Sequence, residues 1–149
     1  MKNIILNSEM VRATLEDRKT QTRRVLKENP FLNFKGAYLD EHFIWYWKSF
    51  DEPTVADICL GKCPYGKVGD RLWVRETFYS DGKKFKTIYA ADVGIKNRPF
   101  GSGGYLPWSP SIHMPRKFSR ITLEITDIRV ERNEEGIWEW VIDFKVIKK

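Results

Sequence analysis

Residues 137–147 alternate with a period of two. Trp138, Trp140, Ile142, Phe144 and Val146 fall on one side, with Glu139, Asp143 and Lys145 on the other. Successive side chains of a strand point to opposite faces, so this pattern predicts a strand with one buried face. Residues 71–78 repeat it: Leu72, Val74, Glu76 and Phe78 share a face, and Arg71, Trp73, Arg75 and Thr77 share the other. Residues 20–26 do so again, with Thr20, Thr22, Arg24 and Leu26 opposed to Gln21, Arg23 and Val25. Further strands are expected at 3–6, 38–39, 43–47, 87–91 and 121–130, with Phe43, Trp45 and Trp47 on one side of the third. One stretch breaks the period. Met10, Val11, Thr14 and Leu15 recur at helical spacing across residues 8–18, and Asn7 or Ser8 offers a capping oxygen. Asp51-Glu52-Pro53, Cys63-Pro64-Tyr65-Gly66 and Val68-Gly69-Asp70 carry turn chemistry. One helix among these strands predicts an α+β fold. Its expected form is a small, mainly antiparallel β-barrel with one or two packed helices, formed by residues 1–149 as a single domain.

Composition excludes several classes. The chain is 42% hydrophobic and 14% aromatic, which argues against disorder. No apolar run approaches the roughly 18 residues of a membrane span. The N-terminal Ile4-Ile5-Leu6 run is too short for a secretory signal, so a cytoplasmic setting is expected. There Cys59 and Cys63 would stay reduced. With His42 and His113 the only histidines, no ligand spacing suggests a metal, and no motif suggests a cofactor. The glycines of 101–104 lack the Lys-Ser/Thr ending of a phosphate loop.

The formal net charge is +6, and its distribution says more than its size. Residues 18–27 hold Arg18, Lys19, Arg23, Arg24 and Lys27 without an acid. Residues 93–123 hold Lys96, Arg98, Arg116, Lys117 and Arg120, also without an acid, among Phe100, Tyr105, Trp108, His113 and Phe118. Two such windows on one side of a barrel would form a basic, aromatic surface for nucleic acid. Arg18, Lys19, Arg23, Arg24 and Arg116 would meet phosphate, and Arg75 would belong to the same nucleic-acid surface. Trp73, Tyr105 or Trp108 would stack on a base, and Glu76 or His113 would read a base edge. The other reading is a solvated charged face.

Three residues could also carry chemistry. A Lys19 in a pocket beside arginines would have a lowered pKa and could activate the Thr22 hydroxyl. At a helix end it could equally serve the helix dipole. Glu76, a carboxylate on an apolar strand face, is either paired with an arginine such as Arg24 or poised as an acid/base.

Arg18-Lys19-Thr20-Gln21-Thr22-Arg23-Arg24 after the first helix resembles the signature of ASCH domains, which are PUA-like β-barrels. Cys63-Pro64-Tyr65-Gly66, residues 69–76, Ser111-Ile112-His113-Met114-Pro115 and residues 120–125 are similar to small ASCH-like proteins encoded by phages and prophages. The resemblance implies binding of RNA or another single-stranded nucleic acid, or of a modified nucleoside, in a cleft between barrel and helix. One branch hydrolyses N4-acetylcytidine with a Lys, a Thr and a Glu. That resemblance places the first two on Lys19 and Thr22, with Glu76 a stand-in by character for the third. Such an amidohydrolase is the alternative function. A phage accessory protein that binds a host protein is another, favoured if both faces of the strand carrying Trp45 and Trp47 are exposed, the alternative being two tryptophans buried in the barrel. The sequence departs from the family at Asp17, where a glycine often ends the helix, and at Asn133-Glu134-Glu135-Gly136, where a helical insertion is reduced to a turn.

Overall fold

A computed structural model describes residues 1–30, 34–50, 58–81, 87–98, 100–101, 104–105 and 107–148, with the backbone alone for 100, 101 and 105. The expected turn at residues 51–53 lies outside them. In chain order the elements are β1 (Lys2–Ile5), α1 (Ser8–Leu15), β2 (Gln21–Val25), β3 (Gly36–Leu39), β4 (Trp45–Lys48), β5 (Ile58–Gly61) and β6 (Arg71–Arg75). There follow β7 (Phe78–Ser80), β8 (Thr87–Tyr89), α2 (Ala90–Val93), β9 (Phe100–Gly101), β10 (Gly104–Tyr105), β11 (Thr122–Arg132) and β12 (Trp138–Lys148). The class is α+β, mostly strands. The largest sheet runs β1-β6-β11-β12-β2, an open order with β1 and β2 at its ends. No helix among the described residues is long and apolar enough to cross a membrane.

The chain divides into two compact units. The first comprises Met1–Thr20, Arg71–Glu124 and Lys145–Lys149, the second Gln21–Asp70 and Ile125–Phe144. In the first, β1 runs parallel to β6 and β6 antiparallel to β11. Ile4, Leu6, Val11, Leu72, Val74, Met114 and Leu123 are buried there. Asn7 caps α1 by accepting from the Met10 amide at 2.8 Å. The helix ends three residues before the expected Arg18. The Asp17 amide donates to Thr14 O and the Arg18 amide to Ala13 O, with Asp17 at φ 58°. This is a Schellman closure with aspartate at the position glycine favours. The departure at Asp17 therefore keeps the left-handed turn, and the Lys19 amide also reaches Ala13 O. The strand expected over 71–78 is two strands, interrupted at Glu76 and Thr77. The strand expected over 87–91 stops at Tyr89, because Ala90 and Ala91 are buried in α2.

In the second unit, β2 pairs with β12, Thr22 opposite Ile142. β3, β4 and β5 form an antiparallel sheet. Trp45 and Trp47 alternate inward from β4 and meet Trp140 and Trp138 edge-on, at centroid distances of 5.4 and 5.1 Å. Phe34 stacks on Trp47 at 5.0 Å. Phe43, expected on the same strand face, instead sits in the β3–β4 turn at φ 61°, half exposed. Asp40 holds that turn by accepting from the amides of His42 and Ile44. Those two hydrogen bonds keep its carboxyl below the ordinary value, Ile44's being the stronger influence. In the turn between β11 and β12, Asn133 Oδ1 accepts from the Glu135 and Ile137 amides, and Gly136 supplies φ 82°.

Candidate nucleic-acid interface

A groove of about 910 Å³ opens in the second unit. One wall is the segment that follows β2, from Val25 to Pro30. Asn29 holds it in place: its side-chain amide donates to Leu26 O and Trp138 O and accepts from the Trp138 amide at 2.7 Å. The opposite wall is Cys59, Leu60, Lys62, Pro64 and Tyr65. Gly61, at φ 107°, turns the chain out of β5, and Gly66 closes the next turn through its amide to Cys63 O. A side chain at Gly66 would collide with the Asp70 carboxylate, 2.6 Å from where its Cβ would stand. Trp47 and Trp140, buried in the unit's aromatic cluster, form the floor.

The chemistry follows from these residues. The floor is apolar, and Trp47 and Trp140 each keep only 4% of their surface exposed. Lys27 and Lys62 are exposed along the walls, and neither pairs with an acid among the described residues. Among the described residues, Glu28 is the one acid lining the groove. Tyr65 and the exposed Cys59 add polarizable surface. An apolar slot with two cations beside it accepts a flat, negatively charged ligand.

The residues expected from sequence are distributed otherwise. In the first unit, Arg18 pairs with Glu16 at 2.6 Å and Lys19 is half-buried. Glu76 is 1% exposed, and both its oxygens accept from Arg120, at 3.0 and 3.1 Å. Burial raises the Glu76 carboxyl above its ordinary value against the pull of that guanidinium. Arg120 also chelates Asp92, at 2.8 and 2.9 Å, and lies 4.0 Å from the Tyr89 ring centroid. Glu76 is therefore paired, with Arg120 rather than Arg24. Trp73 is buried, with the Arg75 guanidinium 5.0 Å from its ring centroid and Arg75 Nε on Met114 O. Trp108 is half-buried and donates to Ile95 O. His113 and Arg116 are exposed on two short 3-10 turns, Ser111–His113 and Arg116–Phe118. The Tyr105 side chain lies outside the described residues.

In the second unit, Thr22 is buried and its hydroxyl accepts from Arg24 Nε at 3.1 Å. Arg23 pairs with Glu131 and Glu139. Trp45 and Trp47 are core, so the exposed tryptophan stripe that favoured a host-protein partner does not form. No disulfide joins Cys59 to the buried Cys63, and no cluster of three metal-ligating side chains occurs among the described residues.

The groove residues Trp47, Trp140, Asn29 and Lys62 were not legible as a site. The one signal was Lys27 in an acid-free window, together with the 63–66 turn. Set against models of protein families, curated proteins and solved structures, the chain matches none.

Proposed function

We propose that the protein binds single-stranded RNA through this groove. In this reading it is a cytoplasmic, ASCH-type module with a PUA-like barrel, and a modified nucleoside is a compatible ligand. The observation that carries the reading is the tryptophan-floored groove with Lys27 and Lys62 beside it. An unpaired base can lay its ring on an apolar floor while its phosphate meets a lysine, whereas a duplex keeps its ring faces stacked inside. Deacylation of N4-acetylcytidine would ask Glu76 to exchange a proton, and both its oxygens are already held by Arg120. The geometry therefore supports binding better than catalysis.

Fluorescence anisotropy with labelled single-stranded RNA at low salt tests this. Wild type should bind the single strand and bind the matching duplex more weakly. Replacing Lys27 and Lys62 together with alanine should cost about tenfold or more in affinity, since each contributes a phosphate contact. Absence of binding at low salt, or a double variant that binds as wild type does, would overturn the reading.

A further inference from the structure

Arg75 ends β6 in the first unit, and its structural contacts use only part of its side chain. Its guanidinium lies 5.0 Å from the Trp73 ring centroid, and its Nε donates to Met114 O at 3.1 Å. A guanidinium carries five N–H donors, and Nε uses one. The four on Nη1 and Nη2 meet no acceptor among the described residues. No buried side-chain nitrogen or oxygen among those residues lacks a partner, so both Nη atoms reach solvent. Arg116 follows Met114 by two residues, about 7 Å of chain at most, and is exposed. Among the described residues its Nη2 meets only Met1 Sδ, at 3.6 Å, and a thioether is a weak, neutral acceptor. Neither arginine forms an ion pair among the described residues. The residues of this unit outside the described ones, 82–86, 99, 102, 103, 106 and 149, include no acid.

Tying residues 113–116 to the sheet accounts for the Nε bond and the ring contact. It leaves the Nη donors unused. We infer that Arg75 and Arg116 form a phosphate site whose ligand is a phosphomonoester. A fork held by its Nε and by the ring beneath it keeps little freedom to lose, and its two Nη groups can donate in parallel to one oxyanion. Arg116 matches the second charge. A phosphomonoester carries close to two negative charges at pH 7, whereas a backbone phosphodiester carries one. Trp73 is 9% exposed, so it steadies the fork and offers no face to a base. The site therefore takes the phosphate and does not read the nucleobase. A free nucleotide and the 5′-phosphate end of an RNA present the same group. The inference is independent of the groove, because every residue in it belongs to the first unit.

Inorganic phosphate is the first probe, because it has no ring to lay in the groove. Titrated into the full chain at low salt and followed by NMR, it should bind wild type. Arg75→Lys keeps the charge and loses the fork, and should weaken binding about tenfold. Arg116→Gln changes an exposed side chain and should cost about as much, so the conclusion does not hang on how well Arg75→Lys folds. AMP and a short oligouridine, with and without a 5′-phosphate, then separate the sources. A loss on Arg116→Gln for AMP assigns a free nucleotide. A loss for the 5′-phosphorylated oligouridine, and not for its 5′-hydroxyl counterpart, assigns an RNA end. Three results would overturn the inference and leave the groove reading standing. Wild type binds no phosphate; both variants bind it as wild type does; or the 5′-hydroxyl strand loses as much affinity as the phosphorylated one.

Discussion

Among the described residues, Glu76 is the only acid with a fully buried side chain, and its position shows what alternation can and cannot tell. The pattern of residues 71–78 places a carboxylate on an apolar face, and such a carboxylate needs a partner. That much was legible. The partner was not, because Arg120 lies 44 residues on and reaches Glu76 through the pairing of β6 with β11, which no local pattern encodes. The two charges are unequally placed. Glu76 is 1% exposed, whereas the Arg120 side chain is 20% exposed and keeps Asp92 as a second partner. Removing the arginine strands a buried anion; removing the anion leaves a cation still paired. Arg120→Met should therefore destabilise the protein at pH 7 by about 3 kcal/mol, and Glu76→Gln by about 1 kcal/mol or less. The sign of the pH effect follows from burial. A carboxyl whose folded pKa lies above its unfolded value binds its proton more tightly when folded, so its contribution to stability grows as pH falls. Arg120→Met should recover stability on going from pH 7 to pH 5 by taking up that proton, and Glu76→Gln should show no such recovery. Urea midpoints of both variants at the two pH values check this. Equal losses at pH 7 would show that the pair is not asymmetric.

At the scale of elements, the sequence was most readable where one side of the chain alone is buried. β2 kept its predicted alternation and α1 its cap; the apolar faces of β6 and β12 are buried as expected, but Trp73 and Val141 are buried on their opposite faces too. The ends were less readable. α1 stops at Leu15 because the chain closes a Schellman turn on Asp17, a choice that composition alone does not announce. Phe43 failed for a related reason. Two hydrogen bonds to Asp40 make residues 40–44 a turn, and the alternating pattern read straight through it. The turn holds Phe43 in the left-handed region, which a bulky residue enters only against its Cβ sterics. Lys67, 4.6 Å from the ring centroid, returns part of that cost. Phe43→Gly should relieve about 1 kcal/mol of backbone strain and lose about 0.5 kcal/mol of cation–π attraction. The net expectation is a small gain in stability, read as a higher denaturation midpoint. A lower midpoint would mean that the ring holds the hairpin more strongly than the backbone resists it.

At the scale of the whole chain, the acid-free windows were real in sequence and partly neutralised by folding. Arg23 leaves its window to pair with Glu131 and Glu139 of the β11–β12 hairpin, Arg120 takes Glu76 and Asp92, and Arg18 turns to Glu16. Glu131 and Glu139 reach Arg23 and Glu76 reaches Arg120 from far along the chain, and Glu16 reaches Arg18 from two residues away, so a window without acids is not a surface without them. The lysines beside the groove, Lys27 and Lys62, keep no such partner among the described residues. This difference is measurable through counterion release. If Arg18, Lys19, Arg23, Arg24 and Arg116 all met phosphate, the logarithm of affinity for single-stranded RNA would fall against the logarithm of salt with a slope of about −3.5. If the two lysines carry the phosphates, the slope is about −1.4. Arg23→Gln should leave that shallower slope unchanged, because its charge is already spent on Glu131 and Glu139. A salt titration of wild type and of Arg23→Gln decides between the two surfaces. A slope near −3.5 that drops on Arg23→Gln would move the interface from the groove to the arginines of the first window.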